Sequence, residues 1–206
     1  MPQPVKRGQA RTRLTRRAVV DAARTLFLDR GYAATTVEAI SDSADVPIAT
    51  VYRLFASKLG ILRSLLDTSI GGDDQPVAVS ERPDVASLFR EPDPRKLIAG
   101  IAAVTTVINE RTNDVYRALE SAAGSDPAAA QLLGEIRQQR DQGQGRLARS
   151  LARGKALKRG LRERDAADII HAVMSPEVYR LFVGERRWTP ERYEQWLAAT
   201  LTEQLT

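Results

Sequence analysis

Apolar residues recur along this chain at helical spacing, between short polar or proline-rich breaks, and nowhere in strand-like alternation. From Arg13 to Arg30, the residues Val19, Ala22, Ala23, Leu26 and Phe27 fall at i, i+3, i+4, i+7 and i+8. They form one face of a helix that Gly31 ends. Thr35 with Glu38 three residues on reads as a capping box, which predicts a second helix with Val37, Ile40, Ser41 and Ala44 facing inward. It stops at Asp45-Val46-Pro47, because Pro47 lacks a backbone donor and holds Val46 out of the α region. A third short helix is predicted from Ile48 to Phe55, burying Val51 and Phe55 four residues apart. Ala49, Thr50, Tyr52 and Arg53 then point elsewhere. A fourth helix opens at Ser57 and carries Leu59, Leu62, Leu65, Leu66 and Ile70, longer than a small domain needs and so a link to the next one.

Residues 71–94 hold four prolines and read as a connector, with Asp84 to Arg90 fitting one or two turns. Beyond it every element is predicted helical. Leu97, Ile98, Ile101, Thr105 and Ile108 form a stripe over 94–112. Asn113 or Asp114 is expected to cap a separate short helix with Val115, Tyr116 and Leu119. Asp126-Pro127 opens a long helix to about residue 152, in which Gly143 and Gly145 mark a kink, a close approach or simply a weak spot. Residues 153–164 are basic and read as a solvated connection. Asp165 is expected to cap a helix bearing Ala166, Ile169, Ile170, Val173 and Met174, continued past a kink at Pro176 by Val178, Leu181 and Phe182. Thr189-Pro190 starts the last helix, whose stripe is Tyr193, Trp196, Leu197, Thr200, Leu201 and Leu205. The expected fold is all-α with about nine helices. A basic disordered arm over 1–12 leads into a three-helix helix-turn-helix domain over 13–60. The long fourth helix then joins it to a larger helical regulatory and dimerisation domain over 61–206.

Composition narrows the chemistry. With no cysteine and a single histidine, the 206-residue chain offers no disulfide framework, thiolate or Cys-ligated zinc, and no His-rich metal site. His171 reads as a hydrogen-bonded helical histidine. No cofactor is expected. No run approaches 18 continuous apolar residues and the N-terminus has no apolar signal core, so a cytoplasmic protein without a membrane partner is expected. The net charge of +5 is unevenly placed. Lys6, Arg7, Arg11, Arg13, Arg16 and Arg17 have no acidic neighbour within residues 1–17. Removing those six from the chain's 31 Lys and Arg leaves 25 against 26 acidic residues. A basic arm beside a helix-turn-helix adds salt-dependent affinity for nucleic acid. The third helix has the right size for a DNA major groove.

The run RGYAATTVEAISDSADVPIATVYRLFASKLGIL resembles the DNA-binding domain of TetR-family transcriptional regulators. The resemblance is carried by Phe27, Gly31, Tyr32, Thr36, Ile40, Ala44, Val46, Thr50, Tyr52, Phe55, Lys58 and Leu62. Two residues depart from it: Asp45 stands where the family usually has Gly, and Pro47 where a small hydroxyl residue usually caps the recognition helix. The segment DIIHAVMSPEVYRLFVGERRWTPERYEQWL also resembles a C-terminal region of that family.

The resemblance implies roles. Ile48, Ala49, Thr50 and Arg53 would lie along base edges, and Thr36, Tyr52 and Lys58 on phosphates, with Pro47 beside them at the DNA and Arg11 and Arg13 supplied by the arm. Ile48 fits a buried staple equally well. It further implies a homodimer on a double-stranded, near-palindromic DNA operator, paired through Ile169, Ile170, Val173, Val178, Phe182, Tyr193, Trp196, Leu197, Thr200 and Leu201. A small apolar or amphipathic effector would enter among Ile101, Val104, Ile108, Tyr116, Leu119, Leu132 and Ile136. Two other classes stand against this reading. A helical enzyme lacks a nucleophile–base pair in this sequence. A DNA-binding activator or nucleoid-type protein would need no small-molecule effector.

Overall fold

A computed structural model describes residues 7–73 and 77–206. Part of the expected basic arm, residues 1–6, lies outside the described residues, as do 74–76 of the connector. Among the described residues the fold is all-helical and falls into two compact units. The first holds the chain up to Thr68 together with Asp114–Leu133; the second holds Ser69–Asn113 and Gly134–Thr206.

In the first unit, α1 spans Arg7–Ala34. It begins before the expected Arg13, so Arg11 too sits on the helix and not in a disordered arm. Gly31 breaks it near its end with φ 80°, ψ 162°, a backbone setting that a side chain would strain. Helix α2 is Val37–Ala44. Its cap is Thr36, whose Oγ1 accepts from Ala39 N at 3.1 Å. Thr35, expected in that role, is buried instead and donates to the carbonyls of Leu26 and Gly31. Asp45 takes the left-handed turn at φ 51°, ψ 44°. Asp tolerates this region because its short side chain bonds locally, which is how the turn survives without Gly. Helix α3, Ile48–Phe55, follows with the expected bounds, and α4 is Lys58–Gly71. Val19, Ala23, Leu26, Phe27, Ile40, Val51 and Phe55 form the core of this unit, as the spacing predicts.

In the connector the turns expected over Asp84–Arg90 are α5, Pro83–Leu88, and a 3-10 turn at Val79–Glu81 precedes it. Helix α6 runs unbroken from Pro94 to Ala123. Asn113 and Asp114 therefore cap nothing and lie inside it. Thr106 and Thr112 bond back to the carbonyls four residues earlier. Helix α7, Pro127–Arg153, is capped by Asp126, which accepts from Ala128 N at 2.9 Å. Gly143 and Gly145 are helical, and a Cβ at Gly143 would meet nothing within 4 Å in this chain.

Helix α8, Glu163–Val173, is preceded by Arg162 in extended conformation. Asp165, expected to cap it, pairs with the Arg162 guanidinium at 2.7 and 3.1 Å. Ser175 then caps a single turn, α9 (Pro176–Tyr179), that widens into a π-helical turn over Arg180–Glu185 before α10, Pro190–Leu205. Thr189 caps α10 as expected. The second unit's core gathers Leu97, Ile98, Leu147, Leu151, Ile170, Tyr193, Leu197, Leu201 and Leu205.

Candidate nucleic-acid interface

Helix α3 is strongly two-faced because its apolar and polar residues separate at helical spacing. Val51 and Phe55 are buried, while Ile48, Ala49, Tyr52 and Arg53 are exposed and Thr50 is partly so. Ile48 is 38% exposed, which removes the buried-staple alternative and leaves it on the outer surface with Tyr52 at 45%. Exposed Pro47 precedes the helix. It offers no side-chain cap, and its carbonyl accepts from Thr50 N and Val51 N at 2.8 and 3.1 Å. The outward set is short, contains one cation, and holds two apolar side chains that a groove would cover.

Thr36 is exposed at the head of α2, and acting as a cap uses its oxygen as acceptor. Its hydroxyl proton is left to donate, as a phosphate requires. Arg11 and Arg13 are exposed on α1.

Lys58 departs from the phosphate role the resemblance implies. Its Nζ donates to the carbonyls of Tyr32 and Thr35, both at 2.8 Å, and lies 4.3 Å from the Tyr32 ring centroid. Burial lowers its pKa, with the charge of Asp126 opposing the shift; burial raises that of Tyr32, and Asp126 adds to it. The ammonium is tied to the chain reversal between α1 and α2, with two of its three donors engaged. In the sequence Arg16 reads only as one of the charges of the basic N-terminal run. It donates through Nη1 to the Leu54 carbonyl at 3.0 Å and covers the Phe55 ring at 4.7 Å. No sequence spacing marks that contact, because the partners are 38 residues apart.

Residues 19–65 match the sequence profile described as "Bacterial regulatory proteins, tetR family". This stretch, from α1 into α4, is similar to tetR-family regulators. It is similar to the uncharacterized HTH-type transcriptional regulator YdeS of Bacillus subtilis (strain 168), at 27% identity over 86% of this chain and 83% of that protein. Another such regulator of that strain, YvkB, is 41% identical over 54 residues, 26% of this chain and 29% of that one. Among solved structures the fold is similar to Bacillus subtilis FadR, solved with stearoyl-CoA, at TM-score 0.72 and 18% identity over 92% of this chain and 99% of that one. It is similar too to NalD, the secondary repressor of the MexAB-OprM multidrug efflux pump in Pseudomonas aeruginosa. That likeness has TM-score 0.68 and 20% identity, covering 93% of this chain and 96% of that one.

The second unit holds the expected pairing residues. Ile170, Tyr193, Leu197 and Leu201 are fully buried within the single chain. They are its own core, correcting their assignment to a pairing surface. Ile169, Val173, Val178, Phe182 and Trp196 are partly buried against that core, and Thr200 is likewise half-covered. Phe182 lies 4.4 Å from both Trp188 and Trp196, ring centroid to centroid, and Leu181 is 50% exposed.

Of the seven expected effector residues, Val104 and Ile108 alone line a recess of about 440 Å³. Ile101 packs in the core of the second unit, Ile136 is buried, and Tyr116, Leu119 and Leu132 are buried residues of the first unit. Ile70, Val79, Val85 and Val107 complete an apolar lining, with Arg82, Arg111, Asp73 and Asp84 beside it. Arg82 is held by Asp73 through two bonds of 2.9 and 2.8 Å. Of the recess lining in the connector, the short helix α5 is legible in the sequence as the turns expected over Asp84–Arg90, whereas the 3-10 turn at Val79–Glu81 is not. His171 fits its ordinary role, with Arg140 Nη2 at 3.2 Å from Nε2, which makes that nitrogen the acceptor. Among the described residues no group of His, Cys, Asp and Glu is placed to hold a metal, and no helix is long and apolar enough to cross a membrane.

Proposed function

We propose that this DNA-binding regulator is a homodimeric repressor, seated on a near-palindromic operator and released from it by a small apolar or amphipathic effector. The observation that carries the reading is the outward face of α3. Ile48, Ala49, Thr50 and Arg53 form a short, small-residue surface of the kind that enters a major groove, with Arg53 suited to guanine and Ile48 or Ala49 to a thymine methyl. Thr36 and Tyr52 would hold the flanking phosphates, and Arg11 and Arg13 would add sequence-independent affinity.

One such helix reads only a few base pairs, so useful specificity calls for two on a two-fold axis. The half-covered aromatic side chains Phe182, Trp188 and Trp196, with Ile169, Val173 and Val178, support pairing of two chains in an isologous bundle. The recess with an apolar lining and a guanidinium beside it supports an amphipathic effector. An effector can release DNA only by binding the released state more tightly than the DNA-bound state.

Sedimentation of the protein with a duplex selected by it tests the reading. Two chains per duplex, dissociating when amphipathic small molecules are added, is the expected outcome. One chain per duplex removes the dimer, and DNA binding indifferent to every such molecule favours an activator or nucleoid-type protein.

A further inference from the structure

Helix α3 is held differently at its two ends. At the start it has no side-chain cap, and Thr50 N and Val51 N bond to the Pro47 carbonyl. At the finish, helix carbonyls have no partner within the helix and must find one elsewhere. Tyr52 O accepts from Ala56 N and Phe55 O from Ser57 N, both at 2.8 Å. Leu54 O is reached from outside, by Arg16 Nη1 of α1 at 3.0 Å, with the guanidinium 4.7 Å over the Phe55 ring. The turn that follows is strained and tightly packed. Ala56 sits at φ 63°, ψ −35°, and a Cβ on Gly60 of α4 would strike the Phe55 carbonyl. Such a setting persists where its surroundings over-determine it.

We propose that Arg16 is a positioning residue for DNA recognition: from α1 it fixes the end, and hence the tilt, of α3, setting the register in which Ala49, Thr50 and Arg53 meet base edges. This rests on the reading of α3 as the helix that enters the groove. The contact uses a planar guanidinium, which donates along its edge while its face stacks on a ring; the compact ammonium of a lysine on a shorter reach does not reproduce that stacked geometry at this position. Its neighbour Arg17 is the natural comparator, with a side chain 80% exposed and only a loose pair to Asp21 at 3.7 Å.

The full chain and its Arg16→Lys, Arg16→Ala and Arg17→Ala variants would be put through selection from a random duplex library. Affinity for the wild-type site and for unrelated duplex would follow at several salt concentrations, with a thermal melt of each protein. For Arg16→Lys, the ratio of specific to non-specific affinity is expected to fall about tenfold, the worth of one charge-assisted bond. Its salt dependence should stay that of wild type, since the charge is kept. Arg17→Ala should keep the ratio. A lysine variant that binds as wild type does, with an alanine variant whose salt slope drops by about 0.9, makes Arg16 a phosphate contact and overturns the proposal. So does a lysine variant that melts earlier but keeps both its site and its specificity ratio, since Arg16 then serves stability alone. If the wild-type protein enriches no site, the reading of α3 itself fails, an outcome separate from either of these.

Discussion

The helix-turn-helix and the last three helices both leave apolar side chains at the surface, in different ways. On α3, Ile48 and Tyr52 stand four residues apart among small residues and a single arginine. Across α9, the π-helical turn and α10, Leu181, Phe182, Trp188 and Trp196 are larger, and the three rings lie within 6.4 Å of one another. Separated apolar groups with hydrogen-bonding neighbours suit a polar groove carrying thymine methyls, whereas clustered aromatics suit another protein surface. The difference is what supports the proposed division between a reading face and a pairing face.

The comparison can be broken most strongly at the aromatic cluster. Phe182→Asp is expected to weaken self-association by more than about 2 kcal/mol, leaving monomers in sedimentation at concentrations where wild type is dimeric. Helix content should be kept. Unchanged dimers would move the pairing surface elsewhere. Lys58→Met is next. Losing two bonds to the Tyr32 and Thr35 carbonyls should cost about 1–3 kcal/mol in chemical denaturation, with only a small change in the salt dependence of DNA binding. A salt slope lowered by about 0.9 with unchanged stability would return Lys58 to the phosphates.

Tyr52→Phe removes one hydroxyl from the exposed face of α3. It should weaken binding by about 1 kcal/mol on every duplex alike, specific or not, by anisotropy titration. Loss confined to one sequence would make Tyr52 a base reader. The smallest effect is expected at Asp165→Asn. The hydrogen bonds from Arg162 hold the Asp165 carboxyl below its ordinary 3.8, so the pair stabilises the fold above that pH and ceases to as pH falls through the lowered value. The variant should melt slightly earlier than wild type at neutral pH, and the gap should close in acid and shrink with salt. A gap that persists in acid would point to packing and not charge.

How much of this was legible in the sequence depends on whether the cause is local. Helix α3 was bounded correctly because Pro47 and the Val51–Phe55 spacing act over a few residues. The caps at Thr189 and Asp126 follow the same logic. Thr35 was misread as a cap because its burial, 1% exposed, depends on Leu26 and Gly31 across the α1 turn. Asn113 and Asp114 looked like a stop, yet α6 continues through them, tertiary burial of Thr112, Val115 and Tyr116 overriding weak propensity. In the last helix the apolar stripe was right, but a stripe cannot say which residues face the protomer's own core; Tyr193, Leu197 and Leu201 do. The roles of Arg16 and Lys58 were invisible for the same reason, since both reach carbonyls more than 20 residues away.

The central claim is that the outward face of α3 reads sequence. Paired selections from a random duplex library, with wild type and Arg53→Ala side by side at near-physiological salt, test it most directly. The account predicts an inverted repeat for wild type and, for the variant, the same repeat with preference lost at one base pair in each half-site, a relaxation worth about 1–3 kcal/mol. An identical motif from both proteins, or equal weakening at every position, would contradict it.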